Sequence, residues 1–259
     1  MTDAEYQCER LLTRLASRQH AILASRATVA LVALLRALRL PPGSEVLMPV
    51  MLCANPAYAV RWAGLRPLFG DVSPASFNLD LAAAEAVVGP QTRALLAVPL
   101  FGHPVDVPAL LDFAERHRLL IIEDAAQAVG LNHGAYPAGS IGACSVFSFG
   151  PGKIADAGGG AALLSDDADL LAHARLGLEA MPSASTRMQP QPDRILRALK
   201  KLPAELEARR TLARDYRRVL THTGITHPAI PPDLPLWKYS VLLPTREHRD
   251  LITRIKEYQ

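Results

Sequence analysis

The chain has 259 residues, with 49% hydrophobic and 20% charged side chains and a formal net charge of +3. That balance suits a globular protein of one large domain, or one domain plus part of another, and excludes an intrinsically disordered chain. Its Lys and Arg are scattered, and the densest basic run, from Arg194 to Arg218, also carries Glu205, Glu207 and Asp215. It therefore reads as a solvated helix face, not a nucleic-acid surface.

Residues 2–18 carry Tyr6, Leu11, Leu12 and Leu15 as a loose apolar stripe, which predicts an amphipathic helix. Ala21–Ala24 reads as a short buried strand, followed by a helix over Val29–Leu40 that Pro41-Pro42 stops. Between them lies Ser25-Arg26-Ala27-Thr28, small residues around open backbone N–H groups. Such a stretch serves either as an ordinary N-cap or as a seat for an anion such as phosphate. Strands are expected at Glu45–Pro49, Pro67–Val72, Arg93–Leu100 and Leu119–Glu123. They alternate with helices at Asn55–Ala63, Asp80–Val88 and from the cap Asp106 to His117, with Pro108 in the first turn of the last. This rhythm implies an α/β fold with a mostly parallel sheet covered on both faces, and ligands at the carboxyl ends of its strands.

Beyond Leu164 the character changes. Asp166 is expected to cap a helix to about Leu176, Met181–Pro192 reads as a loop, and Asp193–Thr221 as a long charged helix kinked at Pro203. After the proline-rich Pro228–Pro235, Trp237–Leu243 is a candidate strand and Thr245 caps a last helix. A domain boundary is placed near residue 178, dividing the chain into 1–178 and 179–259. The three cysteines, Cys8, Cys53 and Cys144, lie far apart, so no metal site and no disulfide framework is expected and a reducing cytoplasm suits them. Asp3, Glu5 and Glu9 precede any apolar run, which speaks against a signal peptide, and no apolar stretch approaches the ~18 residues of a membrane span.

The chemistry concentrates in Ile121–Leu164. An apolar strand ends in Glu123-Asp124-Ala125-Ala126-Gln127, and a second runs through Ser148 into Gly150-Pro151-Gly152-Lys153, then Gly158-Gly159-Gly160. A carboxylate at one strand end and a lone lysine after another can hold a pyridine ring by its nitrogen and its aldehyde, which is what pyridoxal phosphate requires. Gln127 is then placed for the ring's 3-oxygen and Ser148 for the phosphate. Taken singly, Lys153 reads first as a surface lysine in a glycine turn, and Asp124 as a common turn former or helix cap. A phosphate-loop reading of Gly150–Ile154 fails, because Phe147 stands where glycine is needed and Ile154 where Ser or Thr is needed.

At these residues the sequence resembles the DegT/DnrJ/EryC1/StrS family of pyridoxal-phosphate-dependent sugar aminotransferases. Ser25-Arg26-Ala27-Thr28 resembles the family's Ser-Gly-Thr turn, and Pro42-Gly43-Ser44-Glu45-Val46 its PGDEV segment. Phe77-Asn78-Leu79-Asp80 resembles TFNID, and Glu123–Ala128 matches EDAAQA. Ser148-Phe149 with Lys153 and Gly158–Ala161 resembles the family's lysine segment, and Arg187-Met188 its YRM segment. The resemblance implies the fold type I aminotransferase, with a seven-stranded sheet and a shortened C-terminal small domain, working as a homodimer. It implies Lys153 as the Schiff-base lysine, Asp124 on the pyridine nitrogen, Gln127 on the 3-hydroxyl, and Ala27, Thr28 and Ser148 on the phosphate. The implied reaction moves an amino group from an amino acid, glutamate above all, to a keto-sugar nucleotide; a sister branch of dehydratases has histidine where Lys153 stands.

Several positions depart from the family pattern. Cys53 stands where an aromatic residue often stacks on the cofactor, Ser185 and Thr186 where an Asn often reaches the partner subunit, and Pro99 where a His is usual. Arg26 adds bulk and charge to the phosphate turn, and the chain ends at Gln259 where relatives continue. The alternative these departures raise is a non-catalytic or truncated homologue acting as a dimer partner or regulator.

Overall fold

A computed structural model describes residues 2–181, 190–221, 225–227, 229, 231 and 234–243. Helix α1 (Asp3–Ala16) opens the chain under a capping box, in which Thr2 accepts from the Glu5 N–H and the Glu5 side chain reaches back to the cap. Strand β1 (His20–Ala24) and helix α2 (Ala27–Ala37) follow. Alternation then gives β2 (Glu45–Pro49), α3 (Ala54–Trp62), β3 (Arg66–Gly70), α4 (Leu81–Ala84), β4 (Thr92–Ala97), α5 (Val107–His117) and β5 (Leu120–Asp124). A small hairpin of β6 (Asn132–His133) and β7 (Tyr136–Pro137) precedes β8 (Cys144–Ser148), β9 (Ala161–Ser165), α6 (Ala168–Glu179) and α7 (Pro192–Leu220). No helix among the described residues is long and apolar enough to cross a membrane.

Seven strands form one sheet in the order β1-β9-β8-β5-β4-β2-β3. Pairings β2–β3, β2–β4, β4–β5 and β5–β8 are parallel, while β9 is antiparallel to both β8 and β1. Only β9 therefore runs against the other six, as a mostly parallel sheet requires.

Side-chain alternation along these strands sorts the core into two faces. Ile22, Ile122, Val146 and Leu163 pack with Leu31, Leu34 and Leu35 of α2 and with Leu171 of α6. Their neighbours Leu23, Phe147 and Leu164 turn the other way, against Cys8 and Leu12 of α1 and Ile195, Leu199 and Leu202 of α7. Leu47, Leu95 and Ile121 meet Leu110 and Phe113 of α5. With both faces covered, β8 and β9 are buried at every position, which explains their unbroken apolar reading.

Four expectations need correction. Helix α2 begins at Ala27, with Arg26 as its N-cap, because nothing in Ala27-Thr28 opposes helical backbone. The helix expected over Asp80–Val88 is the single turn α4, capped by Asp80. Asp167, not Asp166, caps α6; Asp166 instead accepts from Arg18 and from the Gln19 N–H. Trp237–Leu243 forms no strand, and only Leu242 bridges to Thr226. Helix α7 passes through Pro203 as one element. The Arg187-Met188 segment and the helix expected after Thr245 lie outside the described residues.

Candidate active site

The strand order brings four strand ends together on one edge of the sheet. β1, β8 and β5 finish there and the reversed β9 starts there, with Ala24 and Ser148 both in register with Ala161, and Asp124 opposite Val146. Ser25–Thr28, Gly158–Gly160, the turn to Lys153, and Asp124 thus leave neighbouring strands side by side. They surround a cavity of about 420 Å³, whose lining includes Ala27, Thr28, Asp124, Ser148 and Lys153. Leu31, Val146, Cys53 and Pro56 complete part of the wall.

Asp124 and Glu123 are consecutive carboxylates with opposite fates. Glu123 is fully buried and accepts from His133 Nε2 at 3.1 Å, the Gly139 N–H at 2.9 Å and the Ile141 N–H at 3.0 Å. Those bonds tie the end of β5 to the β6 hairpin and to the loop ahead of β8, so it is a structural anchor. Asp124 faces the cavity, and among the described groups the Ala126 N–H, at 3.2 Å, donates to it. Burial pushes its carboxyl above the ordinary range, opposed by the Ala126 hydrogen bond and the Lys153 charge.

Lys153 ends a turn closed by its own N–H donating to the Gly150 carbonyl at 3.2 Å. Gly152, at φ +75°, makes that turn possible. Asp156 braces the far side by accepting from the N–H groups of Gly152 and Gly158 at 2.7 Å each. Burial pushes the Lys153 amine below its ordinary value, while Asp124 and Cys53 oppose that shift and Lys238 adds to it.

The end of the cavity at α2 is built for an anion. Among the described residues no side chain caps the helix or bonds its first-turn N–H groups, and the buried Ser25 Oγ has no hydrogen-bond partner. Ser148 Oγ stands opposite, at the end of β8, and Arg26 lines the rim.

Gln127 is not among the cavity's lining residues. It is buried, and its Oε1 accepts from the Phe101 N–H at 2.7 Å, leaving the amide nitrogen to serve any ligand. The sequence reading missed Phe101, which holds a left-handed backbone at φ 58°, and Trp237, whose indole N–H donates to the Gly152 carbonyl at 2.7 Å across 85 residues of sequence. No local signal marks a contact of that span. Ser185, Thr186 and Arg187 lie outside the described residues.

A sequence profile described as the DegT/DnrJ/EryC1/StrS aminotransferase family matches residues 3–259. GDP-perosamine synthase of Caulobacter vibrioides is 40% identical over 158 residues, covering 61% of this chain and 43% of that protein. The crystal structure of DesI in the presence of its TDP-sugar product superposes with a TM-score of 0.83 at 30% identity, covering 99% of this chain and 69% of that one. NtdA from Bacillus subtilis with bound cofactor PMP gives 0.85 at 26% identity, covering 99% and 62%. The matches to the first two curated relatives span 43% and 41% of their lengths. The architecture is that of the fold type I aminotransferases, as the resemblance implied. With its four strand ends gathered around one cavity and a family profile matched from residue 3 to residue 259, the chain belongs to the DegT/DnrJ/EryC1/StrS aminotransferase family.

Proposed function

We propose that this chain is a pyridoxal-phosphate-dependent aminotransferase that moves an amino group from an amino acid, glutamate first, to a keto-sugar nucleotide. One observation carries the reading: Asp124, Lys153, Ser148 and the uncapped start of α2 all open on the same cavity. The donor set fits the cofactor at each of its handles. The open N–H groups of α2, the orphaned Ser25 Oγ and Ser148 suit a phosphate. Asp124 suits a protonated ring nitrogen, and Lys153 suits a carbonyl carbon.

When bound, pyridoxal phosphate supplies an electron sink for a carbanion formed beside its ring. Asp124 holds a proton on the ring nitrogen. Its carboxyl, raised by burial, becomes a stable carboxylate once a cation faces it. Lys153, pushed down by burial, spends more of its time as a neutral amine than an exposed lysine does, which suits attack on a carbonyl and later carriage of a proton between carbon atoms. Gln127, with its oxygen accepting from the Phe101 N–H, would offer only its amide nitrogen to the ring oxygen. Leu31, Val146 and Pro56 give this end of the cavity an apolar wall.

The nucleotide-sugar half of the proposal is supported by the relatives, one named for GDP-perosamine and one crystallised with a TDP-sugar product. A homodimer, with residues 1–178 carrying the cofactor, belongs to the same proposal. Cys53 and Arg26, two departures that raise the non-catalytic alternative, both line the cavity, but the relatives are named as aminotransferases and do not favour it. The test is a pair of half-reactions. Purified protein with pyridoxal phosphate should convert glutamate to 2-oxoglutarate, and the resulting enzyme should aminate a keto-sugar nucleotide drawn from a panel of such sugars. A folded, cofactor-loaded protein that forms no 2-oxoglutarate and no keto acid from other amino acids would refute the activity.

A further inference from the structure

Trp237 comes from outside the sheet, yet it touches the turn that carries Lys153. Its Nε1–H donates to the Gly152 carbonyl at 2.7 Å, and Lys153 Nζ lies 4.4 Å from the centroid of its ring. An ammonium at that range is attracted by the negative face of an indole. The tryptophan is itself fixed from two directions. Its N–H donates to the Phe101 carbonyl at 2.9 Å, and its carbonyl accepts from Arg209 at 2.7 Å, where Glu205 holds the guanidinium at 2.8 Å.

The chain bears a local cost for this arrangement. Phe101 adopts φ 58°, a conformation unfavourable for a bulky residue, and so presents its carbonyl to the N–H groups of both Trp237 and Lys238. Gly102 beside it, at φ +87°, has no Cβ; one placed there would lie 2.9 Å from the Trp237 backbone nitrogen. Phe101 also donates to Gln127, so a single strained residue connects the loop after β5 to the residue that seats Lys153.

We propose that Trp237 is a positioning residue for Lys153: its indole N–H pins the Gly152–Lys153 turn and its ring seats the lysine's terminal amine. The importance of that seat rests on the reading of Lys153 as the reactive amine. The bond to Gly152 fixes the backbone from which the side chain starts, and the ring fixes where it ends. The ring attracts the amine only while it is charged, so the seat acts on the protonated, cofactor-free lysine.

The charged and titratable groups facing Lys153 are Asp124, Cys53 and Lys238, and the Lys238 ammonium also lies 4.6 Å from the Trp237 ring centroid. The test therefore uses a Lys238→Gln background, so that displacement of that charge cannot enter. Trp237→Phe and Trp237→Leu both delete the indole N–H and both fill the space with apolar atoms; only Phe keeps an aromatic face. Cofactor-free protein is trace-labelled with acetic anhydride across pH, and acetylation of Lys153 is read by peptide mass spectrometry. The half-titration point of Lys153 should fall about one pH unit lower in the Leu variant than in the Phe variant, a change of about tenfold in the neutral fraction. Equal half-points would overturn the proposal. Should Leu fail to fold, Trp237→Met supplies the same comparison. If the wild-type protein does not fix pyridoxal phosphate at Lys153, the functional reading fails while this comparison still decides the role of Trp237.

Discussion

Asp124 and Lys153 enter one cavity from the ends of adjacent parallel strands, and each opposes what burial does to the other. Burial alone drives both toward their neutral forms, and each charge draws its neighbour back. The site is therefore poised for an added cation at Asp124 and for a neutral amine at Lys153.

A stability cost follows for Asp124. Because its folded-state value is raised, the folded protein holds a proton there when the unfolded chain does not. The penalty is absent below the ordinary carboxylate range, grows as pH rises from there to the folded value, and levels off above it. Asp124→Asn keeps an oxygen for the Ala126 N–H and removes the charge. The cofactor-free variant should be more stable than the wild type at neutral pH, with the gain fading as pH falls into the ordinary carboxylate range. Aminotransfer should fall at least about a hundredfold. Urea melts at several pH values and half-reaction rates check both.

Glu123 carries the opposite expectation. Its side chain satisfies His133 and two buried backbone N–H groups. Glu123→Ala strands all three and should cost about 3–5 kcal/mol in a denaturant melt. A loss below about 1 kcal/mol would contradict its role as an anchor.

His103 gives the fold an acid limb. It is fully buried, with Nε2 2.7 Å from Ser240 Oγ, and burial pushes its imidazole down to about 4 from an ordinary 6.5. Between those values the unfolded chain binds the extra proton, so stability should rise with pH across that window. His103→Gln should flatten that rise, which amounts to at most about 3 kcal/mol. Melts at about pH 4.5 and about pH 7 test it, and an unchanged slope in the variant would refute it.

Much of this site was legible because β5, β8 and β9 are buried on both faces, so their apolar runs stand out and the residues ending them are conspicuous. Asp124, Ser148 and Lys153 were found that way, and the cavity does gather them. What escaped lies in long-range contacts and marginal elements. The β6–β7 hairpin has only two residues per strand, too short for any period to register. Trp237 reads as part of an apolar strand, yet its place is decided by Phe101, Gly152 and Arg209, none of them near it in sequence. Gln127 was assigned from its spacing to Asp124 and from the resemblance, neither of which could reveal that the Phe101 N–H takes its oxygen. Asp166 and Asp167 are equally good caps on composition; Arg18, 148 residues before Asp166, settles the choice.

The central claim is that Lys153 is the amine that captures the cofactor. Its most direct test is to add pyridoxal phosphate to the purified chain, reduce with borohydride, and locate the fixed pyridoxyl group by peptide mass spectrometry, in parallel with Lys153→Ala. The expected result is a visible absorbance band that borohydride abolishes, one pyridoxyl group on Lys153, and none in a folded Lys153→Ala protein. A group fixed on another lysine, or no fixation in folded wild-type protein, would contradict it.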